Sequence, residues 1–222
     1  MSNALIVGAG SGLSASFARI LAREGYRVAL AARDTAKLAS LAAETGASVH
    51  ACDAADIGSV AALFAAIGAP NLVLYNASYR VRGPFVDLDP AAVHRTLDVT
   101  AFGAFLVAQQ AARLMLAAGG GTIMLTGASA GVKGYPQSAP FAMGKFALRG
   151  LAQSMARELH PQNIHVLHVV VDGAIRSPSR AETTPDSHLA PDAIAEIMLA
   201  MHRQPRSAWT DEIAVRPWVE RF

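Results

Sequence analysis

The sequence predicts an α/β fold in which one doubly wound parallel sheet is flanked by helices on both faces. Short runs of aliphatic and β-branched residues alternate with longer alanine-rich amphipathic stretches along the 222 residues, the order expected of strands joined by crossover helices. Those runs are apolar almost throughout, as strands covered on both faces must be. Composition agrees: 52% of residues are hydrophobic and only 16% charged, which suits a sheet buried on both sides and a further buried surface between subunits. No stretch has the length or composition of a linker, so residues 1–222 are expected to form a single domain.

The strand candidates run from Ala4 to Gly8, Arg27 to Ala32, Ser48 to Ala51, Leu72 to Tyr75, Thr122 to Thr126 and Ile164 to Val171. A last one from Glu212 to Arg216 ends at Pro217, which has no amide to donate to a ladder. Helical patterns fill the intervals. Ala15 to Glu24 follows the first strand, Asp34 precedes Lys37 to Glu44, Asp56 precedes Val60 to Ile67, and Asp89-Pro90 opens the next helix. Aspartate at the cap and proline in the first turn are start signals, because the carboxylate accepts from free amides and proline has none to leave unpaired.

Several function classes are excluded on composition. A formal charge of +2 with scattered basic residues does not make a nucleic-acid groove. Cys52 is the only cysteine, which rules out an intramolecular disulfide and a multi-thiolate metal site and fits a reducing compartment. The apolar start from Ala4 to Val7 is too short for a secretion signal or a membrane span, so a cytoplasmic protein without membrane partners is expected. His50, His165 and His168 lie in or beside strands without metal-ligand spacing and are read as structural, with no metal site expected. No serine stands on a Gly-x-Ser-x-Gly turn, which argues against serine hydrolysis.

The first strand runs straight into Gly8-Ala-Gly10-Ser11-Gly12-Leu13-Ser14 and then a helix. In that setting glycines permit a tight turn and close phosphate approach, while free amides at the helix start attract a diphosphate. The spacing Gly8-x-x-x-Gly12-x-Ser14 resembles the Gly-x-x-x-Gly-x-Gly of the short-chain dehydrogenase/reductase family, with Ser14 at the third glycine. Further elements occur in that family's order: Cys52-Asp53, Asn76-Ala77-Ser78, the helix segment Phe141-Ala-Met-Gly-Lys145, and Asp172-Gly173-Ala-Ile175-Arg-Ser177. The resemblance covers essentially the whole chain and implies a Rossmann-type dinucleotide fold. It assigns cofactor contacts to Gly8, Gly10, Ser11, Gly12, Leu13, Asp53, Asn76, Ala77, Ser78, Lys145, Gly173 and Ile175. Asp53 would meet the adenine amine, Asn76 would stabilise the sheet first and meet the cofactor second, and Ser177 would stand for the usual threonine. After the second strand, Ala32-Arg33 lacks the acid that NAD-preferring members carry, and an arginine suits a ribose 2′-phosphate. NADP(H) is therefore expected over NAD(H), unless Arg33 is only a solvated charge at a strand end.

The family's working set is Asn, Ser, Tyr and Lys, the tyrosine giving a proton to a carbonyl oxygen as hydride arrives. Here the resemblance puts Thr100, Ala128 and Phe141 at the first three positions, and only Lys145 remains. Phe141 has no proton to give. Four residues separate Phe141 and Lys145, so one helical face presents both. The candidate catalytic group is thus Lys145, Ser129 beside the lost serine position, and the altered Phe141. Ser129, Tyr135, Tyr79 or a water would have to supply the proton, or a substrate such as an iminium ion would need none. Tyr135, Ser129 and Tyr79 equally fit roles in shaping a pocket or satisfying backbone groups. The expected activity is an NADP(H)-dependent oxidoreductase working on a small carbonyl, imine or alcohol. A catalytically silent NADP(H)-binding interaction protein is the second reading. Alanine-rich helices around Thr100 to Leu116 and Phe141 to Leu159 correspond to those that assemble the family's dimers and tetramers, so a homodimer or homotetramer is expected, burial within a monomer being the plain alternative. The segment between Arg176 and Pro191, with Pro178 and Pro185, is short for a substrate cover.

Overall fold

The computed structural model describes residues 2–177, 180, 182 and 184–220; Pro178 lies outside the described residues. Seven parallel strands form one sheet: β1 (Asn3–Val7), β2 (Arg27–Ala32), β3 (Ser48–Ala51), β4 (Leu72–Tyr75), β5 (Gly121–Ala128), β6 (Ile164–Val171) and β7 (Glu212–Val215), in the order β3-β2-β1-β4-β5-β6-β7. The expected strands are all present. The fifth is longer than its apolar run suggested, because Gly127 and Ala128 continue the ladder opposite Val170 and Val171.

Side-chain alternation divides the core into two layers. Ala4 and Ile6 of β1 face one way, against α1 (Leu13–Arg23), α2 (Ala39–Thr45) and α7 (Pro191–His202). Leu5 and Val7 face the other, against α3 (Ile57–Ile67), α5 (Gly103–Ala118) and α6 (Ala139–Leu159). Period-two alternation on strands that are buried on both sides produces this arrangement. The helical stretch 90–118, comprising α4 (Pro90–Leu97), a π turn and α5, is long and apolar enough by composition to cross a membrane. Here its buried residues Val107, Ala111 and Met115 pack on the sheet.

Capping follows the sequence signals in two cases and departs in a third. Asp56 accepts from the Ser59 amide at 2.6 Å, and Asp89 accepts from Ala91 and Ala92. Asp34 instead accepts from Ala36 at 3.2 Å and starts a 3₁₀ turn over Ala36–Leu38, and α2 begins at Ala39 without a side-chain cap. The first helix also starts at Leu13, two residues before the expected Ala15. The strand histidines are held structurally: His168 Nδ1 lies 2.9 Å from Glu212, which also takes Arg149 in a two-pronged ion pair, and His165 stacks on Trp209.

The π turn over Asp98–Phe102 carries Thr100 and delivers the chain to Gly103. A Cβ at Gly103 would lie 2.6 Å from the Tyr75 hydroxyl and 2.7 Å from the Ala54 carbonyl. The Tyr75 hydroxyl donates to the Val99 carbonyl in the same place, so neither neighbour is free to retreat. Gly103→Ala is expected to destabilise the protein by about 1–3 kcal/mol, the usual cost of overpacking. A urea midpoint equal to wild type would show that this corner is softer than its contacts imply.

Candidate functional site

The site lies where the strand order reverses, at the carboxyl ends of β1 and β4. Gly8 leaves β1 with φ +80°, and a Cβ there would come within 2.3 Å of the Ala77 amide nitrogen. Both the backbone conformation and the near contact require glycine. Ser14 ties the turn down: its hydroxyl donates to the Gly8 carbonyl at 3.1 Å and accepts from Asn76 Nδ2 at 2.8 Å. The serine in the third glycine position is therefore part of the scaffold. Asn76 is structural in the way its position implied.

Gly10 and Gly12 differ from Gly8, because a Cβ on either would meet no protein atom within 4 Å. The space they leave is on the cleft side. Helix α1 has no side-chain cap at Gly12 and no acid in its first turn, whereas α3 and α4 are capped by aspartates. Its first amides are thus available, with the positive end of the helix dipole, to an anion from outside the chain. An open glycine cradle and an uncapped helix start fit a dinucleotide diphosphate.

A cleft of about 720 Å³ extends from this cradle, lined by Gly8, Gly10, Ser11, Arg33, Asp53, Asn76, Ala77 and Ser78 among others. Leu13 points into the core and Gly12 borders a smaller adjoining cleft, so both reach the site through backbone. Asp53 accepts from the Ala55 amide at 3.1 Å, which fixes its carboxylate at the wall. Arg33 is exposed and, among the described residues, in no ion pair, whereas Lys37 beside it is bound to Asp34 at 3.0 Å. Asp34 and Lys37 also line this cleft. The sequence reading had them only as helix-start residues, although they follow Arg33 in the same loop.

A second cleft of about 560 Å³ shares Asn76 and Ser78 with the first and holds Ala128, Ser129, Tyr135, Phe141, Lys145, Gly173 and Ile175. Lys145 is only 4% exposed, and its ammonium donates to the Thr126 carbonyl at 2.6 Å. Burial lowers its pKa to about 8, since a charge without a carboxylate partner is disfavoured away from water. Its Nζ lies 5.7 Å from the centre of the Phe141 ring. Thr100 is fully buried in the π turn, abuts Gly144 and accepts from the Tyr79 amide at 3.4 Å.

The expected proton sources separate on this geometry. Ser129 and Tyr135 line the second cleft. Tyr79 does not, and its ring faces Arg95 at 5.6 Å instead. Ser177 borders the smaller cleft beside Gly10 and Gly12, not the Lys145 cleft. The sequence reading missed Arg80, Arg82 and Arg180, which line the second cleft. The signal was the spacing Ser78, Arg80, Arg82, alternate residues after β4 that all face the same cavity.

Known proteins agree with this arrangement. A family model described as short chain dehydrogenase matches residues 2–188. Trans-4-hydroxycyclohexanecarboxylate dehydrogenase of Sinomonas cyclohexanicum is 33% identical over 194 residues, covering 80% of this chain and 74% of that protein. A short-chain dehydrogenase from Rhodopseudomonas palustris is 34% identical with a TM-score of 0.85, covering 98% of this chain and 99% of its own. A metagenomic short-chain oxidoreductase in complex with NADP is 28% identical with a TM-score of 0.84 and covers 98% of each chain. With a Rossmann-type parallel sheet and a glycine cradle at its switch point, this chain belongs to the short-chain dehydrogenase/reductase family of oxidoreductases.

Proposed function

We propose that this single-domain protein is an NADP(H)-dependent oxidoreductase acting on a small carbonyl, imine or alcohol, with a proton donor other than the customary tyrosine. The observation that carries the cofactor preference is Arg33, a guanidinium in no ion pair among the described residues, on the wall of the cleft that begins at the glycine cradle. A guanidinium in that place suits a phosphate through charge-assisted bonds. The metagenomic oxidoreductase of similar structure was solved with NADP, which supports the same choice. The bound cofactor would supply hydride. The glycine cradle and the start of α1 would hold its diphosphate, Asp53 its adenine, and Lys145 its ribose hydroxyls. Asn76, Ala77, Ser78, Gly173 and Ile175 would close the walls between the two clefts. Of the expected proton sources, Ser129 and Tyr135 line the cleft where a reacting oxygen would lie, and Phe141 shapes that end without giving a proton.

Arg33→Ala is expected to weaken NADPH binding about tenfold or more while leaving NADH binding nearly unchanged, since bonds to a charged group contribute about 1.5–3 kcal/mol. Equal NADPH affinities in fluorescence titrations of the two proteins would remove the preference.

Thr100, Ala128 and Phe141, three substitutions in one proton-handling set, favour the second reading of a cofactor-binding protein without turnover. A panel of carbonyls and imines followed by NADPH oxidation separates the two. Turnover of an imine or a carbonyl by the wild type is the expected outcome, with Phe141→Tyr raising simple ketone reduction by up to ~10²–10⁴-fold, the range for gain of a general acid. Tight NADPH binding without oxidation of any panel member would select the silent reading.

The exposed faces of α5 and α6 support a homodimer or homotetramer. Phe102 and Phe105 stack with centroids 6.2 Å apart, and Phe105, Met143 and Phe146 are all exposed. Apolar side chains grouped this way on neighbouring helices suit a self-complementary contact. Gel filtration with light scattering is expected to give at least two copies, and a monomer at all concentrations would defeat the assignment. A cytoplasmic location, which the single cysteine, Cys52, supports, and action on small molecules belong to the same proposal.

A further inference from the structure

Among the described residues, the second cleft has cations on its walls and no acid: Arg80, Arg82, Arg180 and Lys145 line it, and no aspartate or glutamate does. Among the described residues none of the three arginines forms an ion pair. The acids nearest in sequence to Arg180 are committed elsewhere, since Glu182 and Asp186 both bind Arg176 at 3.1 Å. Arg80 is held below the usual arginine pKa by burial first and then by repulsion from Arg82 and Arg180. Arg82 and Arg180 thus stand close enough to Arg80 to disfavour its charge, and among the described residues no carboxylate pairs with it to offset this. Arg80 has a defined seat, its Cζ lying 4.9 Å from the centre of the Phe141 ring. Stacking on an aromatic face orients a guanidinium while leaving its N–H edge free for a carboxylate or phosphate.

We propose that Arg80, Arg82 and Arg180 form the anion-holding end of the substrate site, so that the substrate is a small carbonyl or alcohol compound bearing a carboxylate or phosphate group. The assignment rests on the reading that this cleft receives the reacting substrate. Phe141 then serves as a platform: one ring contacts Lys145 on the cofactor side and Arg80 on the substrate side. Arg180 also borders the smaller cleft beside Gly10 and Gly12, where it faces the diphosphate end of the cofactor site. Arg80 and Arg82 border only the substrate cleft, so they discriminate between the two roles.

The test is calorimetric binding to the full-length protein, with and without saturating NADPH, of two matched pairs: 4-oxopentanoate against its methyl ester, and dihydroxyacetone phosphate against dihydroxyacetone. The charged member of at least one pair should bind about tenfold more tightly or better than its neutral counterpart, and the difference should shrink as salt is raised. The pair that shows the preference identifies carboxylate or phosphate as the group recognised. Arg80→Ala and Arg82→Ala should each remove about tenfold of the charged ligand's affinity and leave NADPH affinity unchanged, with circular dichroism confirming the fold; Arg80→Lys should retain part of it. Equal binding of charged and neutral members in both pairs would overturn the proposal. So would a preference for the charged members that survives both alanine substitutions. Anion binding without any NADPH oxidation would support the anion site and count only against hydride transfer, which keeps the two readings distinguishable.

Discussion

The near contact between Gly8 and Ala77 is the constraint on which the rest of the site depends. The strand order reverses between β1 and β4, so the chain leaves β1 toward one face of the sheet and β4 toward the other, opening a crevice at their carboxyl ends. How wide that crevice is at its floor is set by how closely the two loops approach before they part. A Cβ on Gly8 would be 2.3 Å from the Ala77 nitrogen, and the Ser14 hydroxyl bridges the Gly8 carbonyl and Asn76 across the same gap. With the floor pinned, β2 and β3 bring Arg33 and Asp53 to one side, while β5 and α6 bring Lys145 and Phe141 to the other.

The two sides are built from different materials. The glycine-cradle end relies on backbone amides, open space and a helix dipole. Such features survive changes of side chain, and a serine in a glycine position can even be recruited as a clamp. The other end relies on side-chain functional groups, where one substitution removes a whole chemical role. Thr100 is an instance: it is fully buried, and its hydroxyl accepts from the Tyr79 amide. Lys145 persists, and its ammonium depends on a backbone carbonyl, that of Thr126, for its place.

Much of this was legible in the sequence because it follows from periodicity. Apolar runs located all seven strands, and Asp56 and Asp89 marked the helices they cap. Where the reading failed, a contact distant in sequence had decided the outcome. Asp34 was read as starting a helix, but its carboxylate closes a two-residue turn and binds Lys37. The sequence offers Tyr79 as a proton source, yet its ring faces Arg95 and its amide donates to Thr100, 21 residues away. The arginines are a different case. Ser78, Arg80 and Arg82 line the cleft while Tyr79 and Val81 do not, which is the two-residue alternation of an extended chain. That signal was present but had no meaning until the fold showed which side of the segment faced a cavity.

Phe141 is best understood through its two neighbours. A tyrosine in this position would hold its hydroxyl among an ammonium and a guanidinium, both of which favour the ionised phenolate. Phenylalanine keeps the ring that both cations approach and lacks the hydroxyl whose charge they would alter. Among the described residues, no carboxylate pairs with Lys145 or Arg80 to compensate the cleft's positive charge. Burial already depresses Lys145 to a pKa of about 8, and an anion arriving in the cleft would favour its charged form again. A phenyl ring between these two cations suits the support of charge, and it has no hydroxyl with which to deliver a proton.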